Sequence, residues 1–163
     1  MVDIDIKQVG VERSRAAFAR LAKNIKDMRP VWTQYIGFHT ADLMEKTFAT
    51  NGAAMNGSRW AAYSPAYKKR KRKLGGRLGK MLVLSGRLKE AATGGAGFSS
   101  KVSKDKMTMT ISEIPYAGVH QFGFEKRNIP QRAYFFTAKE DLPARAYAYL
   151  YKATENHLMD GVE

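Results

Sequence analysis

Pro115-Tyr116-Ala117-Gly118-Val119-His120-Gln121-Phe122-Gly123, followed by Ile129-Pro130-Gln131-Arg132-Ala133-Tyr134-Phe135-Phe136, is the most informative stretch of the chain. Aromatic and polar residues are dense in it, and two prolines mark turns. It contains no set of converging catalytic groups. It reads as a framework that places side chains for packing and assembly. The aromatics at 133–136 are expected in the core near a sheet edge. Arg132 beside them suits a fixed, planar hydrogen-bonding contact.

Strand signals precede this stretch. Met107, Met109 and Ile111 alternate with Thr108 and Thr110, the period of a half-buried strand. The pattern predicts strands over about Phe98–Ser103 and Lys106–Ser112, with Lys104-Asp105 as their hairpin turn. Before them, Ser85 is expected to N-cap a short helix through Ala92, which Gly94-Gly95 and Gly97 end. A last helix is expected from near Lys139, with Pro143 in its first turn. Leu142, Ala146, Leu150, Ala153 and His157 line one of its faces.

Nearer the start, Val2, Ile4 and Ile6 alternate with Asp3, Asp5 and Lys7, which predicts another strand. A helix over about Val11–Met28 follows, with Val11, Phe18, Leu21, Ala22, Ile25 and Met28 as its apolar stripe and a mostly basic opposite face. Pro30 begins a second helix that runs to about Thr50 and presents Trp32, Tyr35, Ile36, His39 and Leu43 on one side. Asn51-Gly52 stops it. Residues 53–80 carry few regular signals and are expected to form a long arm, in which Ser64-Pro65 starts a short basic helix. The expected fold is α+β. An antiparallel sheet of about four strands is packed by two long N-terminal helices and a C-terminal helix, in a single domain over 1–163 with an extended basic arm at about 53–80.

The chain has 163 residues, 44% of them apolar, and eighteen aromatics, enough for one domain with a true core. The absence of cysteine excludes disulfides, thiolate catalysis and sulfur-ligated zinc. The first residues are acidic and alternating, unlike a signal peptide, and no apolar run approaches the length of a membrane span, so a soluble chain is expected.

The net charge of +13 is lopsided. From Lys46 to Lys89 there are twelve Lys or Arg and no Asp or Glu, whereas sixteen basic residues face fifteen acidic ones elsewhere. The centre is Lys68-Lys69-Arg70-Lys71-Arg72-Lys73, with Arg77 and Lys80 beyond it. Six adjacent cations favour an extended, solvated or partner-bound segment. They suit a polyanionic partner, either nucleic acid or an acidic protein surface, with a solvated patch that serves solubility as the third reading. No base-reading motif accompanies them, so any DNA contact is expected to be non-specific.

Candidate chemistry is sparse. His39 falls on an apolar helix face and His157 near the C-terminus, where it is expected to be solvated. His120 fits a hydrogen-bonding role in a turn or subunit contact. Its nearest acidic neighbours in sequence are Glu113 and Glu125, so a general-base arrangement lacks an adjacent orienting group. No metal motif is present, and the scattered carboxylates do not suit a metal-dependent nuclease. Gly79-Lys80 lacks the hydroxyl that a phosphate loop places after its lysine. No cofactor, metal or catalytic residue is expected.

Several separated motifs agree in order. Arg59-Trp60 is followed by Tyr63. Then come Leu84-Ser85-Gly86-Arg87-Leu88, Tyr116-Ala117, His120-Gln121-Phe122-Gly123, and Ile129-Pro130 with Arg132 and Phe135. Over roughly residues 10–150 this pattern resembles the phage virion morphogenesis family, small proteins of tailed bacteriophages related to tail-completion and neck proteins. The resemblance implies a non-enzymatic virion component at the head–tail junction, made in the host bacterial cytoplasm and assembled as a ring, commonly of six. It implies neighbouring neck and tail-tube proteins as partners, with phage DNA in the channel and no membrane. It carries over to Trp60, Leu84, Ser85, Gly86, Leu88, Tyr116, His120, Gln121, Phe122, Gly123, Pro130 and Arg132. Lys68–Lys73 is more basic than the resemblance requires. A free basic DNA-binding protein and a small hydrolase or nuclease using His120 are the rival readings.

Overall fold

A computed structural model describes residues 11–76, 79–135 and 142–162, apart from the side chain of Asn56. The strand expected at Val2–Ile6, and Arg77, lie outside the described residues. Helix α1 spans Val11–Ile25 and α2 spans Arg29–Phe38. From α2 the chain continues through a π-helical segment, His39–Met44, into α3, Glu45–Ala49. The uninterrupted α-helix expected to Thr50 therefore widens in its middle. The extra residue per turn rephases the side chains, so that His39, Leu43, Met44, Thr47 and Phe48 all face inward.

The stop at 51–52 has a physical cause. Asn51 and Gly52 both take left-handed backbone angles, with φ of 53° and 96°. A Cβ on Gly52 would lie 2.5 Å from the Trp60 indole, so only glycine lets that ring close against the helix end.

The rest of the chain is built from short pieces. Helix α4 is Ala53–Asn56, α5 is Pro65–Lys73 and α6 is Arg87–Ala92. Strands β1, Phe98–Val102, and β2, Met107–Ile111, pair antiparallel, with Phe98 opposite Ile111 and Val102 opposite Met107. Helix α7 is Ala117–Phe122 and α8 is Ala144–Met159.

Several further expectations need correction. The described residues hold a two-stranded sheet, not about four strands. Tyr134 and Phe135 join the core as expected, but no strand among the described residues pairs with their backbone, which side chains hold instead. The segment 53–80 holds a further short helix, α4, besides the basic helix expected from Ser64-Pro65, which is α5. Ser85 does not cap α6; Gly86, at φ 87°, occupies that position without a side-chain hydrogen bond.

The core joins Tyr35, Leu43, Met44 and Phe48 to Trp60, Leu88, Ala91, Ile114, Tyr134 and Ala146. Met107, Met109 and Ile111 lay one face of the hairpin on it. Helix α2 packs on α8 and touches β1. Phe38 stacks on Tyr149 with centroids 4.1 Å apart. Helix α1 does not cover the sheet as expected, but packs on α8 and has no buried residue. Asn24 donates to the carbonyls of His157 and Asp160 at 3.0 and 3.1 Å, and Arg20 to that of Gly161. His157 is not solvated as expected, because its Nε2 donates to the carbonyls of Asn24 and Asp27 at 3.1 and 2.8 Å.

Candidate interaction surface

Trp60, His120, Gln121 and Arg132 of the singled-out motif residues meet in one network that ties distant segments together. Trp60 is buried and donates its indole N–H to the carbonyl of Ala133 at 2.8 Å. Arg132, 4% exposed, donates from Nε to the carbonyl of Ala61 at 3.0 Å and from Nη2 to that of Ala62 at 3.3 Å. Its own backbone N–H donates to the carbonyl of His120 at 2.8 Å. Gln121 works in both directions: its Oε1 accepts from the backbone of Tyr134 at 3.1 Å and of Phe135 at 3.0 Å, while its Nε2 donates to the Phe135 carbonyl. Buried backbone groups that a sheet would satisfy are satisfied here by one amide side chain. Gly123, at φ 78°, ends α7 where a Cβ would crowd the Gln131 nitrogen and the Ile129 oxygen, at 3.0 and 3.1 Å.

The remaining motif residues divide between core and surface. Leu88 is in the core, whereas Leu84, Ser85, Tyr116, Phe122 and Pro130 are exposed. Tyr116 and His120 make an edge-on ring contact with centroids 6.0 Å apart. The His120 Nδ1 atom is buried and finds no hydrogen-bond partner among the described residues. Burial, helped by the Arg132 cation, lowers the His120 pKa, so the ring is neutral near pH 7. Neither Glu113 nor Glu125 hydrogen-bonds to it among the described residues. The described residues also contain no cluster of His, Asp and Glu able to hold a metal ion.

The cationic run is a folded element. Ser64 caps α5 by accepting from the Tyr67 N–H at 3.2 Å, and Pro65 sits in its first turn. Lys71 is the exception among the expected contact residues. It is 1% exposed and donates from Nζ to the carbonyl of Lys80 at 2.6 Å. One helix face must turn inward, and its long apolar stem fills that face against Gly76. Desolvation lowers its pKa. Lys71 is thus an anchor and not an available contact. Lys68, Lys69, Arg70, Arg72, Lys73 and Lys80 are exposed. Among the described residues the ion pairs lie elsewhere, for example Glu45–Lys89 and Asp42 with Lys46 and Arg145.

Sequence reasoning undervalued two anchors. Tyr63 is buried with Lys71 Nζ 4.9 Å and the Arg132 guanidinium 5.1 Å from its ring centre. Its hydroxyl accepts from the backbone of Leu82 at 2.7 Å. One phenol thus joins the motif network to the cationic helix. Asn51 was read only as a helix stop. It also holds the returning loop, donating to the Gly79 carbonyl at 3.0 Å and accepting from Met81 at 2.9 Å. The spacing of Tyr63 to Tyr67 across a Ser-Pro cap was the available signal for the first. Nothing local marked the second.

Fold and surface together define a small α+β protein with an outward-facing cationic helix. The chain belongs to the phage virion morphogenesis family, which it matches over residues 9–163. It is therefore a component of phage particle assembly. It is also similar to the Uncharacterized protein MJ0331 of Methanocaldococcus jannaschii, with 37% identity over 89 residues, covering 52% of this chain and 63% of that protein's length. No solved structure matches the chain. Among the described residues no helix is long and apolar enough to cross a membrane.

Proposed function

We propose that the protein is a non-enzymatic structural component of the phage head–tail junction. It completes or terminates the tail as a ring, in six copies, and docks the tail to the DNA-filled head. The observation that carries this reading, beyond family membership, is the cationic helix. Helix α5 presents five exposed cations on a segment held by Tyr63, Lys71 and the Lys80 carbonyl. A preorganised charged element loses little entropy on docking. Six copies of a +13 chain would gather about 78 positive charges, which requires a negative counterpart at the same place. A neighbouring neck or tail-tube ring, or DNA in the channel, supplies it. The apolar side chains of α1 left exposed, Phe18 at 68% and Ile25 at 56%, offer surface for contact with a second copy.

The test is complementation. Host cells infected with phage lacking this chain are expected to accumulate filled heads and separate tails. Purified protein added to the extract is expected to join them. Joined, infectious particles formed without the chain would refute the reading.

A further inference from the structure

Beside the cationic helix lies a cleft of about 740 Å³ whose character differs from the outer face of α5. Tyr67 is carried by α5 itself and is 36% exposed. Its ring centre lies 4.7 Å from that of buried Tyr63. His120 and Pro130 continue this aromatic and apolar wall, and Arg127 and Arg132 also line it. A smaller recess of about 200 Å³ shares Tyr63, Tyr67 and His120 and reaches Leu84 and Tyr116.

We propose that this cleft is a nucleobase-stacking site, in which a single-stranded nucleic-acid segment places a base against Tyr67 and its phosphates on the cations of α5. Aromatic faces next to cations are how proteins hold single strands without reading sequence, because every base has a π-face. The cleft volume is that of a small-molecule site. Arg70 stands three residues from Tyr67 and is its neighbour on the helix surface. A phosphate beside a base held at Tyr67 therefore meets that cation first. Lys71 and Tyr63 fix α5 in place, so the platform exists before the strand arrives.

Glu125 also lines the cleft. With Arg127 and Arg132 it makes the cleft lining mixed in charge, whereas the outer face of α5 is uniformly cationic. A nucleotide inserts a neutral base and leaves its charge outside. A duplex has no unstacked base to offer, so the cleft discriminates between single and double strands.

The test uses the purified full chain, a fluorescein-labelled deoxythymidine decamer, a duplex of equal charge and polyglutamate. The decamer is expected to bind with salt-dependent affinity. Tyr67→Leu is expected to weaken it by about fivefold or more at fixed salt, while Tyr67→Phe, which keeps the stacking face, stays within about twofold of the parent. Duplex affinity is expected to be the same in all three proteins. Pro130→Asp, an exposed change further along the cleft lining, is expected to weaken the decamer as well and covers the case in which Tyr67→Leu misfolds. Decamer binding unchanged in both folded variants would overturn the site. So would polyglutamate binding that exceeds the decamer and depends on Tyr67, which would assign the cleft to an acidic protein. Either failure leaves the head–tail role standing, because that role is read from particle assembly and not from oligonucleotide affinity.

Discussion

Lys71 donates a hydrogen bond to the carbonyl of Lys80 at 2.6 Å from the interior of its own cationic run. One of the six cations is thereby a structural pin, and the charge of its neighbours is aimed by it. Lys71→Ala is expected to destabilise the fold by about 2 kcal/mol, through the lost stem packing and the unmade hydrogen bond. Lys69→Ala, on the exposed face, is expected to stay within about 0.5 kcal/mol of the parent. Urea unfolding followed by tryptophan fluorescence measures both. Equal effects at the two positions would refute the pin.

Gln121 answers for three backbone groups of Tyr134 and Phe135. Gln121→Leu leaves them unpaired and is expected to lower stability by about 2–4 kcal/mol. Gln121→Glu keeps the acceptor for two N–H groups but, when ionised, cannot donate to the Phe135 carbonyl. Its buried carboxyl is expected to have a raised pKa when folded, so this variant should gain stability relative to the parent as the pH falls from 7 to 5. Thermal melts at the two pH values check the sign.

His39 is fully buried, and desolvation lowers its pKa from 6.5 to about 4. The unfolded chain then binds this proton more readily than the folded one. Stability is full above about pH 6.5 and falls as the pH drops towards 4, by at most about 1.4 kcal/mol per pH unit for this one group. The lowered His120 pKa acts in the same direction. His39→Gln is expected to flatten the slope between pH 4.5 and 6.5, read from urea midpoints, whatever it does to the absolute stability. An unchanged slope would remove His39 from the account.

Local chemistry made much of this legible from the residues. The Asn51-Gly52 stop, the Ser64-Pro65 start of α5, the Met107–Ile111 alternation and the hairpin near Lys104-Asp105 are all short-range signals, and each is where the pattern places it. What could not be read depends on partners distant in sequence. Trp60 and Ala133 are 73 residues apart. The aromatics at 133–136 are expected in the core near a sheet edge, yet Gln121, and not a strand, holds the backbone of Tyr134 and Phe135. The inward turn of Lys71 was hidden for the same reason: six consecutive cations look alike until the helix face that meets Tyr63 is known. The π-helical widening at His39–Met44 carries no proline or glycine signal, because only Gly37 lies close and it precedes the segment.

The exposed cations carry the functional prediction. Changing Lys68, Lys69 and Lys73 together to Glu alters exposed positions only, so the fold is expected to persist with a near-parental melting temperature. The same protein is expected to fail in joining heads to tails, because three reversals replace attraction to a negative partner with repulsion. Plaque counts after complementation, beside the melting curve, separate the two effects. Normal infectivity would show that the charge of α5 is not used in assembly.

Direct imaging of purified phage particles with this chain labelled is the most searching measurement. Label is expected at the neck, between the head and the first ring of the tail tube, in about six copies per particle. Mature, infectious particles that contain none of the chain would contradict the account.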